Sequence, residues 1–361
     1  MSPVGVTCDI FCGIVDNFGD IGVAWRLARQ LTLEHRVRVR LVVDDLNSFS
    51  RIEPTLDTSL AQQEICDIHV ILWDAALDIL PAQLIIEAFA VNLPEPYVAM
   101  MQVAATPPVW INLEYLTAEA WIGGCHLLPS PHQKYTLVKH FYFPGFLPNT
   151  GGLLRERNLL QDCAANAPLR ESEMLNVFLF CYDNAASEFL IRALAKSVKA
   201  VRCTVPDGAL AARITGVFGD VVSSPALEII PFVSQRQFDH LLWRHDVLFV
   251  RGEDSFLRAQ WASKPFVWHI YPQRDGAHWK KLDAFLVIYC EGLATELAAT
   301  VHELWHVWNA QDIEHIEAAW NGFYDQLPAL EIHAKGWSSK LAQMPDLAAN
   351  LLSFYQKNIK I

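Results

Sequence analysis

Short apolar runs, hydrophobic at nearly every position rather than at alternate ones, recur along this chain with helix-length segments between them. In the first half they occupy residues 8–15, 37–43, 68–73 and 109–113. A segment over about 21–35 separates the first two, and places Ile21, Trp25, Ala28 and Leu31 on one helical face. Strands that are apolar on both sides must be covered on both sides, so this rhythm predicts parallel sheets with helices on each face, an α/β fold. Residues 143–158 read FPGFLPNTGGLLRERN, with two prolines and three glycines, and the rhythm then restarts. Strands are predicted at 177–181, 200–205, 228–232, 247–251 and 266–270, with helices over 187–198 and from Ser255. The tail from about 301 to 356 reads helical, through Leu304, Trp308, Ile313 and Ile316 and then Leu341, Leu347, Leu351 and Tyr355.

A chain of 361 residues exceeds what a single core usually holds, so two domains are expected, spanning 1–155 and 170–335. If the two sheets face each other, the carboxyl ends of both strand sets meet at one crevice, where open α/β sheets bind ligands.

Forty acidic against 28 basic side chains leave a formal charge of −12, which repels polyphosphates and excludes broad nucleic-acid or anionic-membrane binding. A basic partner fits better. The eight cysteines are scattered and form no CxxC pair, so reduced thiols in the cytoplasm are expected. The opening MSPVGVTCDIF lacks the charged region of a signal peptide, and the apolar stretch 77–101 is broken by Pro81, Glu87, Pro94, Glu95 and Pro96. A soluble chain is expected.

Four stretches could carry chemistry. In VDNFGDIGV, Asp16 and Asp20 bracket a Phe-Gly pair directly after an apolar strand, which makes either a surface turn or the floor of a site. In VLFVRGEDSFLRA a strand ends at Arg251, Gly252 allows a sharp turn, and Ser255 stands where a helix N-cap belongs. Such a helix end offers unpaired N–H groups to a phosphate, with Arg251 as a clamp, although Glu253 and Asp254 could satisfy the same dipole in an ordinary capped helix. Phe180 and Tyr182 share a strand face, and Phe232 and Tyr271 also follow strands; the four form a nucleotide cradle or pack a core. HELWH at 302–306 places His302 and His306 on one helix face as zinc peptidases do, with His315, Glu314 or Glu331 as conceivable third ligands. Its interleaved Leu304, Trp305, Val307 and Trp308 read as packing residues, and Asp44 and Asp45 read as a strand end.

Five stretches together resemble the bacterial protein-arginine rhamnosyltransferases that modify elongation factor P. They are DNFGDIGVAWRLARQL, PVWINLEYLTAEAWI, FPGFLPNTGGLLRE, FCYDN and FVRGEDSFLRAQWASKPFVWHIYPQ, spread in order over nearly the whole chain. The resemblance implies a GT-B fold, two facing Rossmann-like domains with an interdomain cleft, and a C-terminal helix at about 338–361 packing back on the first. It implies transfer of L-rhamnose from dTDP-β-L-rhamnose to an arginine of elongation factor P, with inversion and no metal. The second domain would bind the donor through Phe180, Tyr182, Phe232, Gln235, Arg251, Glu253, Asp254, Ser255 and Tyr271. The first would bind the acceptor, with Asp20 as the base, Asp16 orienting the guanidinium and Glu114 adding a forked contact. The alternatives are a zinc hydrolase built on HELWH and a non-catalytic protein that binds a nucleotide sugar or the elongation factor.

Overall fold

The computed structural model describes residues 5–14, 18–76, 79–167, 173–218, 225–273 and 275–359. The chain divides into two compact units, one of Met1–Arg157 with Gln343–Ile361 and one of Asn158–Ala342.

The first unit is built from β1 (Thr7–Cys12), α1 (Gly19–His35), β2 (Arg38–Val43), α2 (Leu46–Ile52), β3 (Gln62–Ile65), β4 (Ile68–Leu72), β5 (Leu84–Ala88), α3 (Glu95–Val103), β6 (Val109–Leu113), β7 (Pro129–Pro131) and β8 (Val138–Tyr142). The strands lie in the order β3-β4-β2-β1-β5-β6-β8-β7. Only the outer pairs β3–β4 and β7–β8 are antiparallel. Ile21, Trp25, Ala28 and Leu31 of α1 are fully buried, and the helix stops at Arg36, whose φ of 58° turns its N–H back onto the carbonyls of Leu31 and Thr32.

β5 escapes the sequence pattern although it lies beside β1 at the centre of the sheet. It sits among prolines and carries Glu87, which is 1% exposed and bonded to Lys139 Nζ of β8 at 2.8 Å. An acid within an apolar run looks like a break until its partner is known, and here the partner lies 52 residues away. Asp9 of β1 is a second buried acid. Its carboxylate takes two bonds from Arg40 of β2 at 2.6 and 2.7 Å, one from the Ala82 N–H at 3.0 Å and one from the Tyr97 hydroxyl. Removing the cation leaves the other partners but an uncompensated buried charge. Arg40→Met is therefore expected to cost roughly 2–4 kcal/mol of stability, read as a lower urea midpoint at unchanged slope.

The second unit contains α4 (Leu159–Asn166), β9 (Met174–Leu179), α5 (Ser187–Ala195), β10 (Ala200–Pro206), α6 (Ala209–Phe218), β11 (Ala226–Ile230), α7 (Gln235–Arg244), β12 (Val247–Arg251), α8 (Asp254–Trp261), β13 (Phe266–His269), α9 (Ala277–Tyr289), α10 (Thr295–Asn309), α11 (Ile316–Asp325) and α12 (Leu327–Ala342). Its strands are all parallel, in the order β11-β10-β9-β12-β13. The closing helix α13 (Leu347–Asn358) belongs to the first unit, where Leu347 N–H donates to the Leu153 carbonyl at 2.9 Å. Gly152 makes this junction possible. Its φ is +80°, and a Cβ there would lie 2.3 Å from the Pro345 carbonyl oxygen.

The cores of the two sheets, β4-β2-β1-β5-β6 and β11-β10-β9-β12-β13, share one topology. The chain steps outward to one side, returns to the middle, and steps outward to the other side. The reversal falls between β1 and β5 in one sheet and between β9 and β12 in the other, and open α/β sheets bind ligands outside the carboxyl ends at that point. Among the described residues no helix is long and apolar enough to cross a membrane.

Candidate functional site

In the second unit the switch point is the end of β9 beside the end of β12. Phe180 and Tyr182 follow β9, Arg251 ends β12, Phe232 follows β11 and Tyr271 follows β13, so all five lie at the carboxyl edge. The Arg251 guanidinium lies over the Phe180 ring at 4.6 Å and the Tyr182 ring at 4.9 Å, and Nη1 donates to the Cys181 carbonyl at 3.3 Å. These contacts fix the cation in place without supplying a counter-charge. Tyr271 meets Tyr182 edge-on at 5.5 Å, and Phe232 lies 6.5 Å from Phe180. Phe180 also packs on Phe238 at 5.0 Å, so it serves the core as well as the rim.

Beyond Arg251 the backbone turns at Gly252, whose φ of 63° is left-handed. Trp268 of β13 pins the turn, donating from Nε1 to the Gly252 carbonyl at 2.8 Å while stacking on Phe256 at 3.9 Å. The N-cap of α8 is Glu253, not Ser255 as the sequence pattern predicts. Glu253 already has φ −95° and ψ −48°, close to helical values, so the helix begins early. Ser255 then falls inside the first turn, where its hydroxyl donates to the Arg251 carbonyl. Glu253 makes no side-chain cap bond to α8. Asp254 accepts from Gln235 Nε2 at 3.1 Å, joining the first turns of α7 and α8.

His269 is a site neighbour that sequence reasoning missed. It pairs in register with Arg251, is 1% exposed, and meets Tyr182 edge-on at 5.2 Å and Trp308 at 5.8 Å. Its Nδ1 has no hydrogen-bond partner among the described residues. Burial, and secondarily the nearby Arg251, lower its pKa to about 3, so the ring is neutral. Its only sequence signal is its place at the end of a strand. Between the ordinary value near 6.5 and about 3, the unfolded chain binds a proton that the folded chain does not. Stability contributed by neutral burial is thus present above that window and lost as pH falls through it. His269→Gln is expected to lose less stability than the parent between pH 7 and 4.5, measured by chemical denaturation at each pH.

In the first unit, Asp16 lies outside the described residues. Asp20 is the second residue of α1, 2% exposed, where the helix dipole favours an acid. Glu114 directly follows β6, and its N–H donates to the Tyr142 carbonyl at 2.9 Å. β1 and β6 flank β5, so the strand ends leading to Asp20 and Glu114 are two strand spacings apart, roughly 10 Å. Asp44 does more than end a strand. Its Oδ1 accepts from the Ile14 N–H at 3.0 Å, just ahead of the VDNFGD stretch in the chain. Burial pushes the Cys12 thiol well up, and the charges of Asp20 and Asp44 add to this, which sets both acids near the end of β1. Asp45 caps α2 through the N–H groups of Asn47 and Ser48.

HELWH forms part of α10. Leu304, Trp305 and Trp308 are fully buried, while His306 Nε2 bonds Asp283 Oδ1 at 2.9 Å and its ring stacks on Trp279 at 5.5 Å. His315 is bonded to Asp312 at 2.7 Å. Among the described residues no group of three or more His, Cys, Asp or Glu side chains could hold a metal ion. The motif is a packing face with two histidines on its outer side.

The family model described as elongation-factor P (EF-P) rhamnosyltransferase EarP matches residues 8–356. A protein-arginine rhamnosyltransferase of Pseudomonas putida is 44% identical over 377 residues, covering 98% of this chain and 99% of its own. A solved structure described as the structural basis for EarP-mediated arginine glycosylation of translation elongation factor EF-P superposes with a TM-score of 0.68. It is 32% identical in sequence, covering 98% of this chain and 100% of its own. MurG of Acinetobacter baumannii shares the fold alone, with a TM-score of 0.55 at 11% identity over 97% of this chain and 99% of its own. The architecture is GT-B, with two Rossmann-like units. Nearly full-length agreement with a family model, a curated relative and a solved member leads to one conclusion: the chain belongs to the EarP family of protein-arginine rhamnosyltransferases.

Proposed function

We propose that this chain moves L-rhamnose from dTDP-β-L-rhamnose to one arginine of elongation factor P, with inversion at the anomeric carbon. The single observation that best supports the donor side is Arg251, a cation oriented by two aromatic rings beside the start of α8. The diphosphate is assigned to Arg251, Ser255 and the first N–H groups of α8, where charge grows as the anomeric C–O bond breaks. Phe180, Tyr182, Phe232 and Tyr271 are assigned to the base and sugar, and Gln235, Glu253 and Asp254 to hydroxyl groups. No metal is invoked, and the nucleotide sugar is a substrate, not a resident cofactor.

On the acceptor side, Asp20 is assigned as base, with Asp16 and Glu114 holding the guanidinium. Arginine has a pKa above about 12 and a carboxylate one near 4, so Asp20 cannot deprotonate the ground state. The nitrogen must lose its proton as its lone pair closes on the anomeric carbon and the dTDP oxygen leaves with the old bonding pair. The carboxylates localise the positive charge and align one nitrogen until then. A net charge of −12 suits a basic acceptor loop, and eight unpaired cysteines suit the reducing cytoplasm, where we place the reaction.

Phe232→Ala is expected to weaken donor binding by about 1–3 kcal/mol in calorimetry, the value of one base–aromatic stack. The stereochemistry is tested by the anomeric one-bond C–H coupling of the product. An α-linked rhamnosyl-arginine is expected from the β-donor, and a β-linked product would overturn the single displacement.

A further inference from the structure

The turn after β5 is held in an uncommon conformation. Phe89 and Ala90 are consecutive non-glycine residues with φ of 60° and 57°, a region such residues occupy only when neighbouring bonds hold them there. Phe89 N–H donates to the Leu113 carbonyl at 2.7 Å, and Ala90 N–H donates to Asn112 Oδ1 at 3.2 Å. Asn112, 2% exposed, uses its other end as well: Nδ2 donates to Glu114 Oε1 at 2.5 Å. The Phe89 ring stacks on Tyr115 at 4.5 Å and 20°. One buried amide thus ties the left-handed turn beyond β5 to the carboxylate beyond β6, at the edge where the sheet reverses.

The bond from Asn112 to Glu114 comes from a neutral amide, so it restricts the carboxylate's rotation without adding a positive charge of its own. Glu87 is the register partner of Asn112 on β5 and bonds Lys139. We propose that Asn112 is a positioning residue for the acceptor arginine, setting the Glu114 carboxylate against a wall made by Phe89 and Tyr115. The inference rests on the assignment of Glu114 to the acceptor.

Asn112→Ala in the full chain should raise the KM for elongation factor P by about tenfold or more, while the donor Kd changes by less than about twofold. Asn112→Asp puts a second carboxylate beside Glu114, at a position also faced by Glu87 and Lys139. Like charges raise each other's pKa, so the acid limb of kcat/KM for the acceptor should move up by about one pH unit or more. In a Glu114→Gln background neither change should add a comparable effect. A purely structural role would weaken donor and acceptor binding together and leave the pH profile in place, and that result overturns the proposal. So does additivity with Glu114→Gln. If Glu114→Gln alone leaves the acceptor KM unchanged, the assignment of Glu114 itself fails. Asn112→Ser, a short polar side chain, repeats the KM comparison should the aspartate variant not fold.

Discussion

Asp20→Asn is expected to bind dTDP-β-L-rhamnose as tightly as the parent while its kcat falls by about 10²- to 10⁴-fold, the range for a lost general base. The amide is isosteric with the carboxylate, so the packing around this 2% exposed side chain survives. Under the proposed mechanism, what disappears is the negative charge near the attacking nitrogen and the atom that would receive its proton. Asp20 is not among the residues assigned to hold the donor, so retained donor affinity is expected. Calorimetry with donor and single-turnover kinetics with saturating elongation factor P separate the two effects. A kcat within about threefold of the parent would remove Asp20 from the proton transfer.

Arg251→Met should produce the second large loss. Methionine keeps much of the apolar contact with Phe180 and Tyr182 but brings no charge to the departing diphosphate. A fall in kcat/KM for the donor of about 10²- to 10³-fold is expected, comparable to removing one preorganised donor to a developing anion. Arg251→Lys should restore only a small part of this, because a lysine ammonium cannot lie as a plane over two rings while donating to the Cys181 carbonyl. Full recovery with lysine would mean that only the charge matters and that the aromatic seat of the guanidinium does not.

How much could be read from the chain alone depended on whether the relevant partner was local. β6 and β12 match their predicted limits at 109–113 and 247–251 because a run buried on both faces announces itself. β5 did not, since Glu87 breaks the pattern and only the fold brings Lys139 to it. Arg251 stood out because the glycine turn and the helix start are adjacent in sequence. The true N-cap did not, because Glu253 takes helical angles that Ser255 was expected to border. Asp20 stood out from its place after an apolar strand and resemblance gave it and Glu114 roles, but Asn112, the bond of Asp44 to Ile14 and His269 became visible only through contacts with other strands. HELWH shows the opposite case: a local pattern matched a metal motif, and the apolar residues that the sequence already marked as packing lie in the core.

The most direct measurement is the intact mass of elongation factor P after incubation with this protein and dTDP-β-L-rhamnose, followed by fragmentation to locate any addition. One deoxyhexose on a single arginine is expected, formed equally well after the enzyme has been treated with a chelator. An unmodified acceptor in the presence of intact donor, or a sugar carried on any residue other than arginine, would contradict it.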